Sequence, residues 1–261
     1  MDLDSILKKT TELSLDVAEF IKSERSKFNP KNAEYKGKND LVSYVDREAE
    51  KEIVKRLRGI YPEAGFVTEE GTAYDTEKEA IWIIDPLDGT TNFIHGVPTY
   101  SISIGLMDKG KMVLGVVHEV NRDECFYSAS GQPAFCNGEE IHVSEEQNLS
   151  AGLMATGFPY YDFEKMEQYL EILKGFMREC HGLRRIGSAA VDLAYVACGR
   201  FEGFFEYNLN AWDVAAGSFL VQQAGGIVTD FSGGDNFIFG KEIVSGSQLQ
   251  PEILKVINKY W

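Results

Sequence analysis

The stretch AIWIIDPLDGTTNF, residues 80–93, constrains this chain more than any other. An apolar run of strand-forming residues delivers Asp85, Pro86, Leu87, Asp88 and Gly89 to its carboxyl end. Carboxylates at that end of a buried strand are well placed for a ligand. The same letters also fit an Asx-turn, with an aspartate bonding the backbone and Pro86 setting the bend. A second short apolar run, GFVTEEG at 65–71, ends in acids too. Glu69, Asp85 and Asp88 at neighbouring strand ends would crowd negative charge, and left alone that repulsion costs several kcal/mol or forces protonation. A hard divalent cation relieves it. Mg²⁺ takes oxygen ligands and completes its shell with water and substrate phosphate.

Further acids lie elsewhere. Asp213 sits in NAWDVAAG, where a helix opens, and also fits an ordinary first-turn acid favoured by the helix dipole. Asp46 closes SYVD at 43–46, a pattern resembling a capping box with Asp in place of Glu. Apolar residues Ile6, Leu7, Leu13, Val17, Phe20 and Ile21 predict a helix over 4–27, and Val45, Ala49, Ile53 and Leu57 a second ending near Gly59. NPKNAEYKGKND between them reads as a loop or exposed hairpin. Strand-like runs separated by turn clusters over 100–143 predict an antiparallel meander. After residue 145 strands and helices alternate, with helices over 163–180, 188–198, 212–224 and PEILKVINKYW, and strands at GLMATGF, FEGFFE, GGIVTD and EIVSGS. That half reads as α/β layered. The division expected is residues 1–145, an α+β lobe with the antiparallel sheet and most of the metal ligands, and 146–261, an α/β lobe supplying Asp213 and substrate contacts.

Charge bounds the partners. Lys+Arg is 26 and Asp+Glu 41, a formal charge of −15, which argues against a surface that coats nucleic acid. An anionic substrate would need a local cation to overcome that field. Cys125, Cys136, Cys180 and Cys198 have neither CxxC nor zinc-site spacing and read as reduced, partly buried thiols. His95, His118, His142 and His181 are scattered and read as surface or satisfied residues. The amphipathic start lacks a signal-peptide core and no run is long enough to span a membrane, so the expectation is a cytoplasmic protein without a membrane partner. NLS at 148–150 matches a glycosylation acceptor and, without secretion, carries no weight. Haloacid-dehalogenase-type phosphatases have a similar strand followed by D-x-D-G-T, but here the spacing is D-x-x-D, and the extra residue turns the second carboxylate away from its expected partner.

Taken together, WIIDPLDGTTNFIHGVP and WDVAAGSFLVQQAGG, about 125 residues apart, resemble the two signatures of the inositol monophosphatase family. VTEEG precedes the first as it does there. DLVSYVD resembles the family's D-L-V-T-x-x-D, with Ser43 where Thr is usual, and RRIGSAAVDLAYVACGRFEGFFE matches in texture. The resemblance covers roughly residues 4–250. It implies a layered αβαβα sandwich, Mg²⁺-dependent phosphomonoesterase activity, lithium sensitivity and a homodimer. By position it implies Glu69, Asp85, the Leu87 carbonyl, Asp88 and Asp213 as ligands of two or three Mg²⁺ ions. Thr90, backed by Asp46, would position the attacking water, with Glu69 the third catalytic residue. Asp88, Gly89, Thr90, Gly187, Ser188, Ala189, Glu206 and Asp213 would contact a small phosphorylated polyol. Arg184 and Arg185 would either steer an anion or form a salt bridge at a dimer edge, the latter preferred. The loop after VTEE is shorter than in animal members and the lead-in KGKND differs, which bears on the third metal and on lithium. Inositol 1-phosphate is the expected substrate. The alternatives are the same chemistry on 3′-phosphoadenosine 5′-phosphate, fructose 1,6-bisphosphate or histidinol phosphate, and a non-catalytic binding homologue.

Overall fold

Helix α1 (Leu3–Arg25) opens the chain, capped by Asp2, whose carboxylate accepts the Ser5 amide at 3.2 Å. The computed structural model describes residues 1–29, 34–37, 40–159 and 163–261. Strands β1 (Glu34–Gly37) and β2 (Asp40–Val42) pair antiparallel, so the polar stretch holds a hairpin, while residues 30–33 and 38–39 of it lie outside the described residues. Helix α2 (Tyr44–Ile60) starts on a capping box. The Ser43 hydroxyl takes the Val45 amide, and Asp46 Oδ2 accepts the Ser43 amide at 2.9 Å.

Then come β3 (Gly65–Thr68), β4 (Tyr74–Asp75), β5 (Ala80–Asp88) and α3 (Thr90–His95). The meander follows as β6 (Ser101–Asp108), β7 (Lys111–Glu119), β8 (Glu124–Ala129), β9 (Ala134–Cys136) and β10 (Glu139–Ile141). The second half contains β11 (Leu153–Thr156), α4 (Met166–Glu179), β12 (Gly182–Arg184), α5 (Ala189–Ala197), β13 (Gly203–Tyr207), α6 (Ala211–Gln223), β14 (Ile227–Thr229), β15 (Glu242–Gly246) and α7 (Gln250–Ile257). The short strands β4 and β12 are too brief for periodicity to announce, and α3 begins where Gly89 and Thr90 would open a short helix.

Among the described residues the larger sheets run β10-β9-β8-β7-β6-β5-β3-β4 and β12-β11-β13-β15-β14. The order of layers follows from which helix packs where. Helices α1 and α2 cover one face of the eight-stranded sheet, α5 and α6 lie between the two sheets, and α4 and α7 cover the far face of the five-stranded one. This mixed α+β layering is the αβαβα sandwich expected. Strand alternation assigns the faces. Trp82 and Ile84 of β5 join Val45, Ile53 and Leu57 in the core beneath α1 and α2, whereas Ile83 joins Ala211 and Ala215 on the α6 side. No helix among the described residues is long and apolar enough to cross a membrane.

Two features pull the middle helices onto the larger sheet. Gly105 and Gly115 are cross-strand partners on β6 and β7. A Cβ on Gly115 would come within 2.8 Å of the Ala216 carbonyl, so only glycine lets α6 approach this closely. Beside them, the Ser103 hydroxyl donates to the Trp212 carbonyl at 3.1 Å, and Ser101 Oγ lies 3.1 Å from Ser188 Oγ. β6 therefore grips the first turns of both α6 and α5, and those turns carry site residues.

Candidate active site

In a regular strand, residues three apart face opposite ways. Asp85 pairs with Ser103 and Asp88 with Ser101, so β5 spends one more residue than β6 over this interval. That bulge turns Asp88 to the face that Asp85 already occupies. It is the face beneath α6, and Asp213 is in the first turn of that helix. One oxygen from each of Asp85, Asp88 and Asp213 lies within 4.8 Å of the others, a grouping able to hold a metal ion. The Asx-turn reading of Asp85 is also met, since its Oδ1 accepts the Leu87 amide at 2.9 Å.

Glu69 reaches the same place from the end of β3, where its amide bonds the Ile84 carbonyl at 3.2 Å and its carboxyl hydrogen-bonds that of Asp85. The loop beyond it is anchored by Glu50 of α2, a fully buried carboxylate that accepts the amides of Glu70 and Thr72 at 2.8 and 2.7 Å. Sequence reasoning missed Glu50. Its signal was an acid set next to Ala49 on the apolar stripe of α2.

The electrostatics are those of a buried acid cluster. Burial, then the carboxyls of Glu69, Asp88 and Asp213, push Asp85 well above the ordinary carboxylate range. Burial lifts Asp88 to about 6 against the Ser188 hydroxyl and the Ala190 and Ala189 amides. Burial and Asp88 lift Asp213 to about 7, opposed by the Asn210 amide, which donates to Asp213 Oδ2 at 2.6 Å.

Around the acids each remaining partner has a definite contact. Thr90 Oγ1 stands 2.7 Å from Asp46 Oδ1 and 3.0 Å from the Leu87 carbonyl. The other oxygen of Asp46 takes the Ser43 amide and hydroxyl, so Asp46 caps α2 and holds Thr90 at once. Burial raises the Asp46 pKa, and the bonds from Ser43 and Thr90 oppose it. Gly89, at φ 94°, makes the turn from β5 into α3 in a conformation that favours glycine. Ser188 caps α5, and its hydroxyl donates to Asp88 Oδ2 at 2.6 Å, next to the Ala190 amide at 2.8 Å. The side chain expected to contact substrate thus also holds a metal-ligand candidate in place.

A cavity of about 230 Å³ unites these groups: Glu69, Asp85, Leu87, Asp88, Gly89, Thr90, Gly187, Ser188, Ala189, Glu206 and Asp213 all line it. Asp46 stands behind Thr90. Arg185, Phe158, Asp192, Asn208 and Trp212 also contribute to the wall, and the sequence reading assigned none of these to the site as a substrate contact. Arg185, read there chiefly as a dimer-edge residue, sits with its guanidinium carbon 5.6 Å from the Phe158 ring centre, and its charge acts on Glu206, Asp192 and Asp88. Glu206 is 5% exposed and packs against Gly157, where a Cβ would collide with its carboxyl. Away from the cavity the thiols are free, as expected. His118 departs from the reading of surface or satisfied histidines: it is 1% exposed, Nδ1 lies 3.5 Å from Ser14 Oγ, and Nε2 has no hydrogen-bond partner.

With this geometry established, comparison with known proteins gives concordant results. The profile of the Inositol monophosphatase family matches residues 2–261. The Nus factor SuhB of Escherichia coli (strain K12) is 43% identical over 226 residues, 86% of this chain and 84% of that protein. The putative Nus factor SuhB of Neisseria meningitidis serogroup B is 44% identical over 224 residues, 85% of this chain and 86% of that one. Among solved structures, the extragenic suppressor protein suhB of Bartonella henselae superposes with a TM-score of 0.92 at 37% identity, covering 97% of this chain and 98% of its own. An IMPase of Thermotoga maritima gives 0.88 at 36% identity, with 97% coverage of both chains.

Proposed function

The chain belongs to the inositol monophosphatase family, and from that membership and the cavity's geometry we propose that it is a Mg²⁺-dependent phosphatase of small phosphate monoesters, with inositol 1-phosphate the foremost substrate. The observation that carries this reading is the convergence of Asp85, Asp88 and Asp213 oxygens within 4.8 Å of one another. The donor set suits Mg²⁺, because every group offers oxygen: the carboxylates of Glu69, Asp85, Asp88 and Asp213 and the Leu87 carbonyl, all lining one cavity. Glu69, Asp85, the Leu87 carbonyl, Asp88 and Asp213 would hold two or three ions. Bound there, Mg²⁺ would neutralise charge on the phosphoryl group and acidify coordinated water.

The protein's own groups do the positioning. Asp46, its Oδ2 committed to Ser43, accepts the Thr90 hydroxyl proton on Oδ1, which leaves the lone pairs of Thr90 Oγ1 to orient a water. The Leu87 carbonyl lies 3.0 Å from the same hydroxyl, so carbonyl, threonine and water share one corner. Gly89 and Thr90 would present backbone amides to phosphate oxygens. Gly187, Ser188, Ala189 and Glu206 would border the leaving group. Fixing these groups in advance is where the chain contributes to rate.

Phosphate release from inositol 1-phosphate, 3′-phosphoadenosine 5′-phosphate, fructose 1,6-bisphosphate and histidinol phosphate, each with Mg²⁺ and with EDTA, tests the reading. Mg²⁺-dependent turnover, highest in kcat/KM on inositol 1-phosphate and removed by Asp85→Asn, is expected. No release from any of the four refutes it. A homodimer and lithium sensitivity belong to the same proposal, checked by light scattering and by Li⁺ inhibition of that release.

A second reading is favoured by the relatives named Nus factor SuhB at 43–44% identity: a factor role beside hydrolysis or in its place. With that name among the relatives, the net charge no longer carries the expectation of a protein without nucleic-acid partners. Replacing the gene by the Asp85→Asn allele in its own cell separates the two, because a factor role survives the loss of turnover.

A further inference from the structure

Helix α5, AAVDLAYVA, is apolar along its whole length except at Asp192. That side chain is 2% exposed, yet it forms part of the cavity wall. Its Oδ1 is enclosed and has no hydrogen-bond partner in the protein. Leaving a buried polar group unpaired costs on the order of 1–3 kcal/mol, and alanine or valine at this helical position would avoid that cost. Packing therefore gives no reason for an acid here. The Ser188 cap explains how α5 holds Asp88, and Asp192 takes no part in it.

What surrounds Asp192 points to a ligand. Glu206 and Asp88 act on it with negative charge and Arg185 with positive, which puts these groups around one region of the cavity. Burial, then the charge of Glu206, drives the Asp192 carboxyl well above the ordinary range. Two buried carboxyls against one guanidinium do not suit a second phosphate. They suit a ligand that brings hydrogen-bond donors without negative charge, as the hydroxyls of a polyol do.

We propose that Asp192 is a substrate-specificity residue whose carboxyl, together with Glu206, hydrogen-bonds hydroxyls of the leaving group, so that the site selects polyol monoesters over esters lacking hydroxyls. This rests on the phosphatase reading above. It adds to that reading a contact that neither the metal cluster nor the Thr90 corner requires.

The test uses the full chain in saturating Mg²⁺ with two esters: inositol 1-phosphate, rich in hydroxyls, and p-nitrophenyl phosphate, which has none on its leaving group. Asp192→Val should lower kcat/KM on inositol 1-phosphate by about tenfold or more, mainly through KM, because a site built for a hydroxyl is left with an apolar wall. On p-nitrophenyl phosphate it should change kcat/KM less than about twofold, the size of an ordinary surface effect. Asp192→Asn, which can still bond a hydroxyl, should recover most of the loss. The melting temperature of Asp192→Val should equal or exceed that of the wild type. Equal losses on both esters, or no loss on either, overturn the proposal. Wild-type protein that cleaves neither ester counts against inositol 1-phosphate as the substrate and not against Asp192, which calorimetric titration with myo-inositol then tests alone. Binding weakened about tenfold by Asp192→Val supports its role, and unchanged binding overturns it.

Discussion

Replacing Asp213 by asparagine should stabilise the metal-free protein and at the same time cost it much of its response to Mg²⁺. Burial and Asp88 raise the Asp213 carboxyl from 3.8 to about 7. The sign follows from linkage: a carboxyl whose folded pKa lies above its unfolded value favours the native state at low pH, and that contribution is lost as pH rises from 3.8 through about 7. A shift of roughly three units at 1.36 kcal/mol each sets an upper limit of about 4 kcal/mol. Asp213 is only half-buried, in the wall of an open cavity, and solvent screening reduces this to about 2 kcal/mol. Asn keeps the oxygen that accepts the Asn210 amide at 2.6 Å, so the helix cap survives the exchange. At pH 8 in EDTA, Asp213→Asn should melt about 4–8 °C above wild type, given about 2–4 °C per kcal/mol for a chain of this size. At pH 4 the two should nearly coincide. Adding 10 mM Mg²⁺ (about a thousandfold over a Kd near 10 μM would give about 4 kcal/mol) should lift the wild type strongly and the variant little. A variant less stable than wild type in EDTA at pH 8, or one with an undiminished Mg²⁺ shift, would refute the reasoning.

Two further outcomes are expected. Thr90→Ala should lower kcat by at least about tenfold while moving KM little, because orienting water acts on the transition state; steady-state kinetics with saturating Mg²⁺ check this, and a loss confined to KM contradicts it. Burial lowers the His118 pKa from 6.5 to about 4, so the native state holds it neutral; its stability contribution is present above pH 6.5 and lost as pH falls toward 4. Urea unfolding should accordingly show His118→Gln gaining on wild type by about 2 kcal/mol between pH 7 and pH 5, and a pH-independent difference would rule this out.

How much of this was readable beforehand depends on distance along the chain. The helices α1 and α2 follow from apolar periodicity and the meander from strand-like runs between turn clusters, because each depends on residues within a few positions of one another; α5 and α6, buried nearly all round, carry no such stripe. The acids at the ends of β3 and β5 were conspicuous because carboxylates rarely follow apolar runs without cause. The bulge was not legible: D-x-x-D alone puts the two carboxylates on opposite faces, and only the pairing of Asp85 with Ser103 and Asp88 with Ser101 reveals the extra residue. The approach of Asp213 was also hidden, because it depends on Gly105, Gly115 and Ser103 accommodating a helix about 100 residues later. Ser188 was expected at the substrate, and its bond to Asp88 needed the fold to be seen. Asp192 was visible as the one acid of an apolar helix, and only the cavity gives that oddity a meaning.

The central claim is that Asp85, Asp88 and Asp213, with Glu69 beside them, form one divalent-cation site facing a phosphate. Anomalous diffraction from crystals of the full chain grown with Mn²⁺ and inorganic phosphate measures this directly. The account predicts manganese peaks within about 2.0–2.3 Å of oxygens from those aspartates, with phosphate density bridging toward Gly89 and Thr90. Phosphate density elsewhere, and no manganese peak touching any of the three aspartates, would contradict it.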